Sequence, residues 1–324
     1  MKPYQVRGLF FEQLVRRLVT LSGYKKVSSG FVPGRGEKHQ IDAFGRYEFV
    51  IPFTYPIRLI CEAKWLKRGI HLNHVRDFEG VIKDISENYF STRGIRGKDF
   101  TWKFLNRYTD CGVFFSATNF TDPAQHYAYA QGIYLVPFEG NSIVEDLLKE
   151  LERIAGQNNQ AFKTKMFFNM AEDKTKATYS KKAQQIIRNS KTFRKMLSKI
   201  GTYLGILDGI YPVHILTRLR LPFRITTRDD YNIQLTKTEL DIRERSLHFK
   251  FRDMDQNILE FTLPRTVGYS LIDTLRRFYK KKAFSYIDIP VIVKTEEGSV
   301  RRIFKGVINP DSRQIITRRL KESS

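Results

Sequence analysis

The stretch LICEAKW, residues 59–65, decides the interpretation of the first half of the chain. It is apolar and short, which predicts a strand buried within a sheet. Side chains alternate between the two faces of a strand, so Glu62 and Lys64 point to one face. Cys61 and Ala63 then point to the other face, towards whatever covers the sheet.

An acidic residue precedes this strand at a spacing that suits a joint site. Asp42 ends the segment HQID and lies 20 residues before Glu62, so the two meet if their strands are neighbours in a hairpin. Two carboxylates a few ångströms apart repel unless a cation lies between them, and Mg²⁺ prefers such oxygen ligands. An ammonium such as that of Lys64 stabilises charge on a phosphate or orients a water. Taken alone, this pattern is more typical of an ordinary surface ion pair on a strand than of an active site.

The composition favours a nucleic acid as the partner. The 324 residues carry a net charge of +22, with 22 basic and 17 acidic residues in 1–160 but 34 and 17 in 161–324. The second half, at +17, is therefore a candidate polyanion-binding unit. No apolar run approaches the ~20 residues that cross a bilayer, and the N-terminus does not resemble a secretory signal. We expect a cytoplasmic protein without membrane contact, in which both cysteines are reduced.

The order of predicted elements indicates an α/β fold followed by a second unit. Apolar periodicity and turn residues predict a helix at 8–22, a loop at 28–36, a strand pair, and then alternating helices and strands up to about residue 154. Strands in a meander followed by βαβ crossovers imply a mixed sheet flanked by helices. The composition GQNNQ suggests a linker, so we expect domains at 1–156 and 157–324. The second is predicted to be a basic α+β domain, with a helix at 181–200, several strands and a helix at 267–279.

The first domain resembles the Mrr-type restriction endonucleases, a branch of the PD-(D/E)XK nucleases. The similarity covers roughly residues 7–150 and lies in four segments in the family's order. They are GLFFEQLVRRLVTLSGY, GRGEKHQID, LICEAKW and FFSATNFTDPAQHYAYAQGIYLV. Some members of this family carry Gln where this chain has Glu62, so the site is nearer the general nuclease form. The resemblance implies a restriction-endonuclease-like core and does not extend to the C-terminal half.

The resemblance also implies roles for individual residues. Asp42 and Glu62, with the backbone carbonyl of Ala63, are expected to bind Mg²⁺, and Lys64 is expected to assist the attacking water. Glu12, on the opening helix, is expected to complete the active site, although a solvated helix carboxylate is an equal alternative.

Other residues are candidate DNA contacts. Arg35 and Lys38 lie in the turn-rich loop, and Gln40 shares a strand face with Asp42. A basic and aromatic cluster in the second domain also suits a phosphate backbone. Its members are Arg276, Arg277, Lys280, Lys281 and Lys282. For His71 and His74, three residues apart at a helix start, a solvated pair is favoured over a metal site.

These observations predict a Mg²⁺-dependent endonuclease of restriction type that cuts double-stranded DNA, at a short sequence or at modified bases. Two alternatives remain open: a structure-specific nuclease like a junction resolvase, and a non-catalytic DNA-binding protein. The sequence contains no Gly-x-x-x-x-Gly-Lys-Ser/Thr loop, so no use of ATP is expected. The oligomeric state, a homodimer included, is not determined by the sequence.

Overall fold

The structure is a computed structural model, and the description covers most of the chain. The described residues are 2–47, 54–88, 90–92, 102–104, 106–162, 172–207, 211–218, 232–242, 245–253, 258–269, 286–295 and 298–307.

The first half forms a mixed sheet with helices on both faces. Its elements are α1 (Pro3–Leu21), β1 (Lys25–Pro33), β2 (Lys38–Tyr47), β3 (Ile57–Lys64), α2 (Leu72–Ser86), β4 (Phe90–Thr92), β5 (Trp102–Phe104), β6 (Thr109–Ser116), α3 (Asp122–Ala130), β7 (Tyr134–Pro137) and α4 (Ser142–Asn158). Five of these strands form a sheet in the order β1-β2-β3-β6-β7. The first three strands run antiparallel, and β3, β6 and β7 run parallel. The predicted α/β architecture with a mixed sheet is confirmed.

Each face of this sheet has its own apolar core, and β3 contributes to both. On one face Cys61 and Ala63 are buried with residues of α1 and α4, such as Phe11. On the other face Ile60 is buried with residues of α2, β6 and α3, such as Phe78. A central strand that is buried on both sides is held in a fixed register, because a one-residue slip would exchange its two faces.

One predicted loop is in fact a strand. Residues 28–36 were expected to form a loop, but β1 extends to Pro33 and only the four residues 34–37 connect it to β2. The register of β1 shifts between Lys25 and Ser28 and again between Ser28 and Gly30. Gly30 has a φ of 137°, a conformation that glycine adopts without steric cost. The serines and glycines that suggested a loop therefore belong to an irregular edge strand.

The second half combines helices with a closed β-barrel. Its elements are a short 3₁₀ helix (Asn159–Phe162), α5 (Glu172–Asn189), α6 (Lys191–Ser198), β8 (Gly201–Leu207), β9 (Tyr211–Thr217), β10 (Asn232–Ile242), β11 (Ser246–Asp253), β12 (Ile258–Pro264), β13 (Tyr286–Thr295) and β14 (Gly298–Val307). The barrel closes in the order β10-β11-β12-β9-β8-β13-β14. Barrel closure leaves no unpaired edge strand, an arrangement that strand patterns alone did not predict.

The predicted helix at 181–200 is also corrected. The predicted helix is interrupted at Ser190. The Ser190 side chain accepts a hydrogen bond from the backbone of Phe193 and so caps a separate helix, α6. β8 follows within three residues of α6, where no strand was predicted. The predicted helix at 267–279 is described only in part, since residues 265–269 are helical and residues 270–285 lie outside the described residues.

The two halves share a core near the predicted boundary. Residue 156 lies within α4, and Ala183 and Ile187 of α5 are buried in the same cluster as α1 and α4. Buried Glu260 of β12 accepts hydrogen bonds from the backbone and hydroxyl of Ser142 at 2.9 and 2.6 Å, at the first turn of α4. A carboxylate in this position compensates the positive end of the helix dipole. The domain boundary at residue 156 therefore remains a prediction. Among the described residues, side chains from both halves pack into one apolar core next to it.

His214 of β9 is half-buried at this junction and should make stability depend on pH. Its Nε2 lies 2.7 Å from the hydroxyl of Thr202, and burial lowers its pKa from 6.5 to about 4. Between these two values the unfolded chain binds a proton that the folded chain excludes. The contribution of His214 to the stability of the protein is therefore present above about pH 6.5 and is lost as the pH falls towards 4. We expect this residue to lower the free energy of unfolding by about 2 kcal/mol between pH 7 and pH 5.

Urea denaturation at the two pH values measures this effect. In the His214→Gln variant the difference between pH 7 and pH 5 should shrink, whereas His126→Gln, which changes an exposed histidine on α3, should leave it unchanged. The same pH dependence in both variants would show that His214 is not the group responsible.

In the described part of the chain, no helix is both long and apolar enough to cross a membrane.

Candidate active site

Asp42 lies beside the strand that carries Glu62, at the point where the pairing of β2 with β3 ends. β2 and β3 are antiparallel partners, and their described pairing ends at Ala43 and Cys61. Immediately beyond that pair, the Oδ2 atom of Asp42 accepts a hydrogen bond from the backbone N–H of Ala63 at 2.9 Å. The Asp42 carboxylate thus accepts in place of a backbone carbonyl of the ladder. This contact fixes Asp42 beside Glu62 and Lys64, which flank Ala63.

Glu62 and Lys64 project together from the same face of β3, as the alternation predicts. The Lys64 ammonium donates to Glu62 Oε1, and both side chains are about a quarter exposed, at 29% and 21%. Asp42 is more enclosed, at 6%. The group is therefore accessible to solvent on the side of Glu62 and Lys64, while Asp42 forms its inner wall.

The carboxylates dominate the electrostatics of this site. Burial lowers the pKa of Lys64, but the charge and hydrogen bond of Glu62 and the charges of Asp42 and Asp77 outweigh it, so the pKa is raised. Burial, followed by the same two charges of Asp42 and Glu62, raises the pKa of the Cys61 thiol. Lys64 is therefore cationic and Cys61 is a neutral thiol at neutral pH.

Asp77 and His74, both on α2, lie within electrostatic reach of this group, although neither was predicted to belong to it. Burial and the nearby charge of Lys64 lower the pKa of His74, against the opposing charge of Asp77. His74 is therefore a neutral imidazole at neutral pH and can accept a hydrogen bond or a proton. The buried residues Val75 and Phe78 beside it pack against the sheet face that carries Glu62. The sequence could have indicated this, because α2 follows β3 along the chain and its polar residues flank the apolar stripe that packs on the sheet.

Glu12 lies on α1, on the opposite face of the sheet from Glu62. It is buried, with 9% exposure, and its charge acts on Arg16, one helical turn further along. Asp42 also acts on Arg16. Both acids therefore act on Arg16, a residue that was not predicted from the sequence, and the role of Glu12 in the site stays a prediction.

The predicted DNA contacts in the first half of the chain lie on or next to the β1–β2 turn. Asp84 of α2 holds this turn, because its carboxylate accepts from the backbone N–H of Gly36 at 2.7 Å and its Oδ2 lies 2.6 Å from Nε2 of His39. Burial raises the pKa of Asp84, but the hydrogen bonds from His39, Gly36 and Glu37 outweigh it, so the pKa is lowered. The clamped turn presents its basic residues in a fixed place.

Those residues differ in their present contacts. Arg35 forms an exposed ion pair with Glu87 at 3.0 Å, and Lys38 is exposed. Gln40 is half-buried and pairs with Phe31 of the edge strand β1. All three stay predictions as DNA contacts. The cluster from Arg276 to Lys282 lies outside the described residues.

The donor atoms at the strand ends suit a hard cation. Across the described ranges, no group of three or more His, Cys, Asp and Glu side chains is arranged to hold a metal. Mg²⁺ needs fewer protein ligands than that, because it usually keeps several waters and takes one or two carboxylates. Asp42, Glu62 and the carbonyl of Ala63 fit this requirement by their chemistry, since all are oxygen donors.

Comparisons with known proteins leave the function open. No protein family profile matches the chain, and no curated protein matches it. Among solved structures, the crystal structure of a protein of unknown function, AF1548, matches 58% of this chain and 98% of its own, with 16% identity and a TM-score of 0.32. A similarity at this level carries no argument about fold or activity.

Proposed function

We propose that this protein is a metal-dependent endonuclease of restriction type, built on a restriction-endonuclease-like core, that hydrolyses phosphodiester bonds in double-stranded DNA. The observation that carries the proposal is the hydrogen bond from Ala63 N–H to Asp42, which joins Asp42 to the strand that presents Glu62 and Lys64. Two acids and a cationic lysine at a partly exposed strand end are the groups that such hydrolysis needs.

Asp42, Glu62 and the carbonyl of Ala63 would hold Mg²⁺. When bound, the ion supplies a water of lowered pKa and neutralises charge on the phosphate. Asp42 is oriented for this task by the backbone of β3. Lys64, which stays protonated beside the acids, would place its ammonium against a phosphate oxygen or the attacking water. His74, neutral at the edge of the group, would accept a hydrogen bond from that water.

The second half would supply most of the affinity for DNA. Its net charge of +17 is the sequence property that supports this division. On this proposal the target is a short sequence or a modified base, read by the barrel and the helices before it. The candidate phosphate contacts Arg35, Lys38 and Gln40 would act closer to the cleaved bond.

Incubation of the purified chain with plasmid and phage DNA, modified and unmodified, tests this proposal. Discrete fragments that require Mg²⁺ and disappear with EDTA are expected. Cleavage confined to branched DNA would replace restriction by junction resolution. Retarded migration without any cutting, on all substrates and with Mg²⁺ or Mn²⁺, would identify a non-catalytic DNA-binding protein and overturn the proposal.

A further inference from the structure

Arg16 on α1 is held in place by hydrogen bonds to β1 and to its own helix. Its Nη1 donates to the hydroxyl of Ser29 on β1 at 2.6 Å, and its Nη2 donates to Oε1 of Gln13. Gln13 is itself buried, at 3% exposure, and its amide donates to the hydroxyl of Ser180 on α5 at 3.2 Å. A guanidinium fixed through two of its nitrogens loses little further freedom when it acts on a neighbour.

The register of β1 and β2 places Ser29, which binds this guanidinium, opposite Asp42. Ser28 pairs with Phe44 and Gly30 pairs with Ile41, so the single residue Ser29 lies opposite the two residues Asp42 and Ala43. This is the arrangement of a β-bulge, in which an extra residue on one strand redirects its side chains. The hydroxyl that binds Arg16 therefore belongs to the residue across the ladder from Asp42.

The surroundings of Arg16 are acidic and poorly solvated. Glu12 lies one helical turn before it, and both Glu12 and Asp42 are less than 10% exposed. Burial lowers the pKa of Arg16, while the charges of Glu12 and Asp42 oppose that change. Carboxylates that are withdrawn from water need a nearby cation, because burial removes the hydration that stabilises their charge and because like charges repel one another.

We propose that Arg16 is the internal counter-cation of the carboxylate site, which stabilises Asp42 and Glu12 while no metal is bound and repels a divalent cation that binds there. Arg16 is thus a positioning residue that acts through the two acids. The statement about the metal rests on the proposed function, whereas the statement about the two acids does not.

A double-mutant cycle tests the part that needs no metal. The melting temperature is measured with EDTA for the full-length protein, Arg16→Met, Asp42→Asn and the double variant. Arg16→Met should lower the melting temperature, and at least half of that loss should vanish when Asp42 is already neutral. Arg17→Met, which changes an exposed neighbour, should have no such coupling. Additive effects of Arg16→Met and Asp42→Asn would overturn the proposal.

Calorimetric titration with Mg²⁺ and with Mn²⁺ tests the second part. Loss of a fixed positive charge near the acids should tighten metal binding by on the order of threefold or more, although the metal-free protein is less stable. A merely structural role for Arg16 predicts the opposite sign, because a loosened site binds metal more weakly. Unchanged or weaker metal binding by Arg16→Met would overturn this part of the proposal.

Further variants keep the titration decisive if Arg16→Met does not fold, and Ser29→Ala can then replace Arg16→Met in the cycle with EDTA. Arg16→Lys retains the charge and should bind metal nearly as the natural protein does. Ser29→Ala removes the hydroxyl that fixes the guanidinium and should tighten metal binding in the direction expected for Arg16→Met, by a smaller factor. Equal metal affinities for Ser29→Ala, Arg16→Lys and the natural protein would contradict the proposal. A natural protein that binds no divalent cation would instead refute the proposed cofactor, and the cycle with EDTA would still decide the role of Arg16.

Discussion

Replacement of Asp42 by Asn should abolish DNA cleavage while binding to DNA persists. Asparagine keeps an oxygen that can accept from the backbone N–H of Ala63, so the strand ends should stay together, but it removes the charge that would attract a divalent cation. A bound cation contributes several kcal/mol to the transition state of such reactions. We therefore expect the cleavage rate to fall on the order of 10³-fold.

Glu62→Gln and Lys64→Met should have effects of the same order for related reasons. Glu62→Gln removes the second carboxylate, and Lys64→Met removes the ammonium that Glu62 now binds. Lys67→Ala changes an exposed lysine only three residues away and serves as the matched control. Plasmid cleavage and gel retardation are measured on the same preparations. An Asp42→Asn variant that cuts at the natural rate with Mg²⁺ would show that this site is not the active site.

The sequence predicted the sheet well because its signals are local. The strand β3 is short and mostly apolar. The faces on which Glu62, Lys64 and Cys61 lie therefore followed directly from the geometry of a strand. The neighbourhood of Asp42 and Glu62 followed from one assumption, a hairpin between consecutive strands, which the structure confirms. Strands that follow one another in the chain usually pair with each other, so a hairpin was the most common arrangement to expect.

Other features depend on contacts between distant segments, which a single sequence does not reveal. β1 was assigned as a loop because Ser28, Ser29 and Gly30 are turn formers, whereas the ladder with β2 and a bulge accommodate them. Closure of the barrel depends on the parallel pairing of β10 with β14, about seventy residues later in the chain. The position of Arg16 depends on Ser29 and, through Gln13, on Ser180. Each of these three features depends on a tertiary contact that leaves no pattern in the neighbouring residues of the sequence.

DNA binding should weaken steeply with salt if the charge of residues 161–324 is used as we propose. Each phosphate that a lysine or arginine neutralises releases counterions, which gives a log–log slope of about −0.9 per contact. A unit with a net charge of +17 suits on the order of five to ten contacts, and thus a slope of about −4 to −9. Between 50 and 200 mM salt the affinity should then fall by roughly 250-fold at the shallow end of this range and by more than 10⁵-fold at the steep end.

The cluster Arg276, Arg277, Lys280, Lys281 and Lys282 is the place to test this expectation. Replacement of all five by alanine should make the slope shallower by about 0.9 for each phosphate contact that is lost. If these residues touch only phosphates, the affinity falls equally on all sequences, and if one reads a base edge, the preference for the target falls as well.

A control variant separates contact from net charge. Arg17, Lys25 and Lys26 are exposed in the first half of the chain, and their joint replacement by alanine also lowers the charge of the chain. If general attraction dominates, both variants should lose affinity in proportion to the charges removed. If the second half holds the DNA, the slope should change only for the five-residue variant. An unchanged slope and affinity in that variant would show that this cluster faces away from DNA, so that the second half binds through another surface or serves another purpose, such as dimerisation.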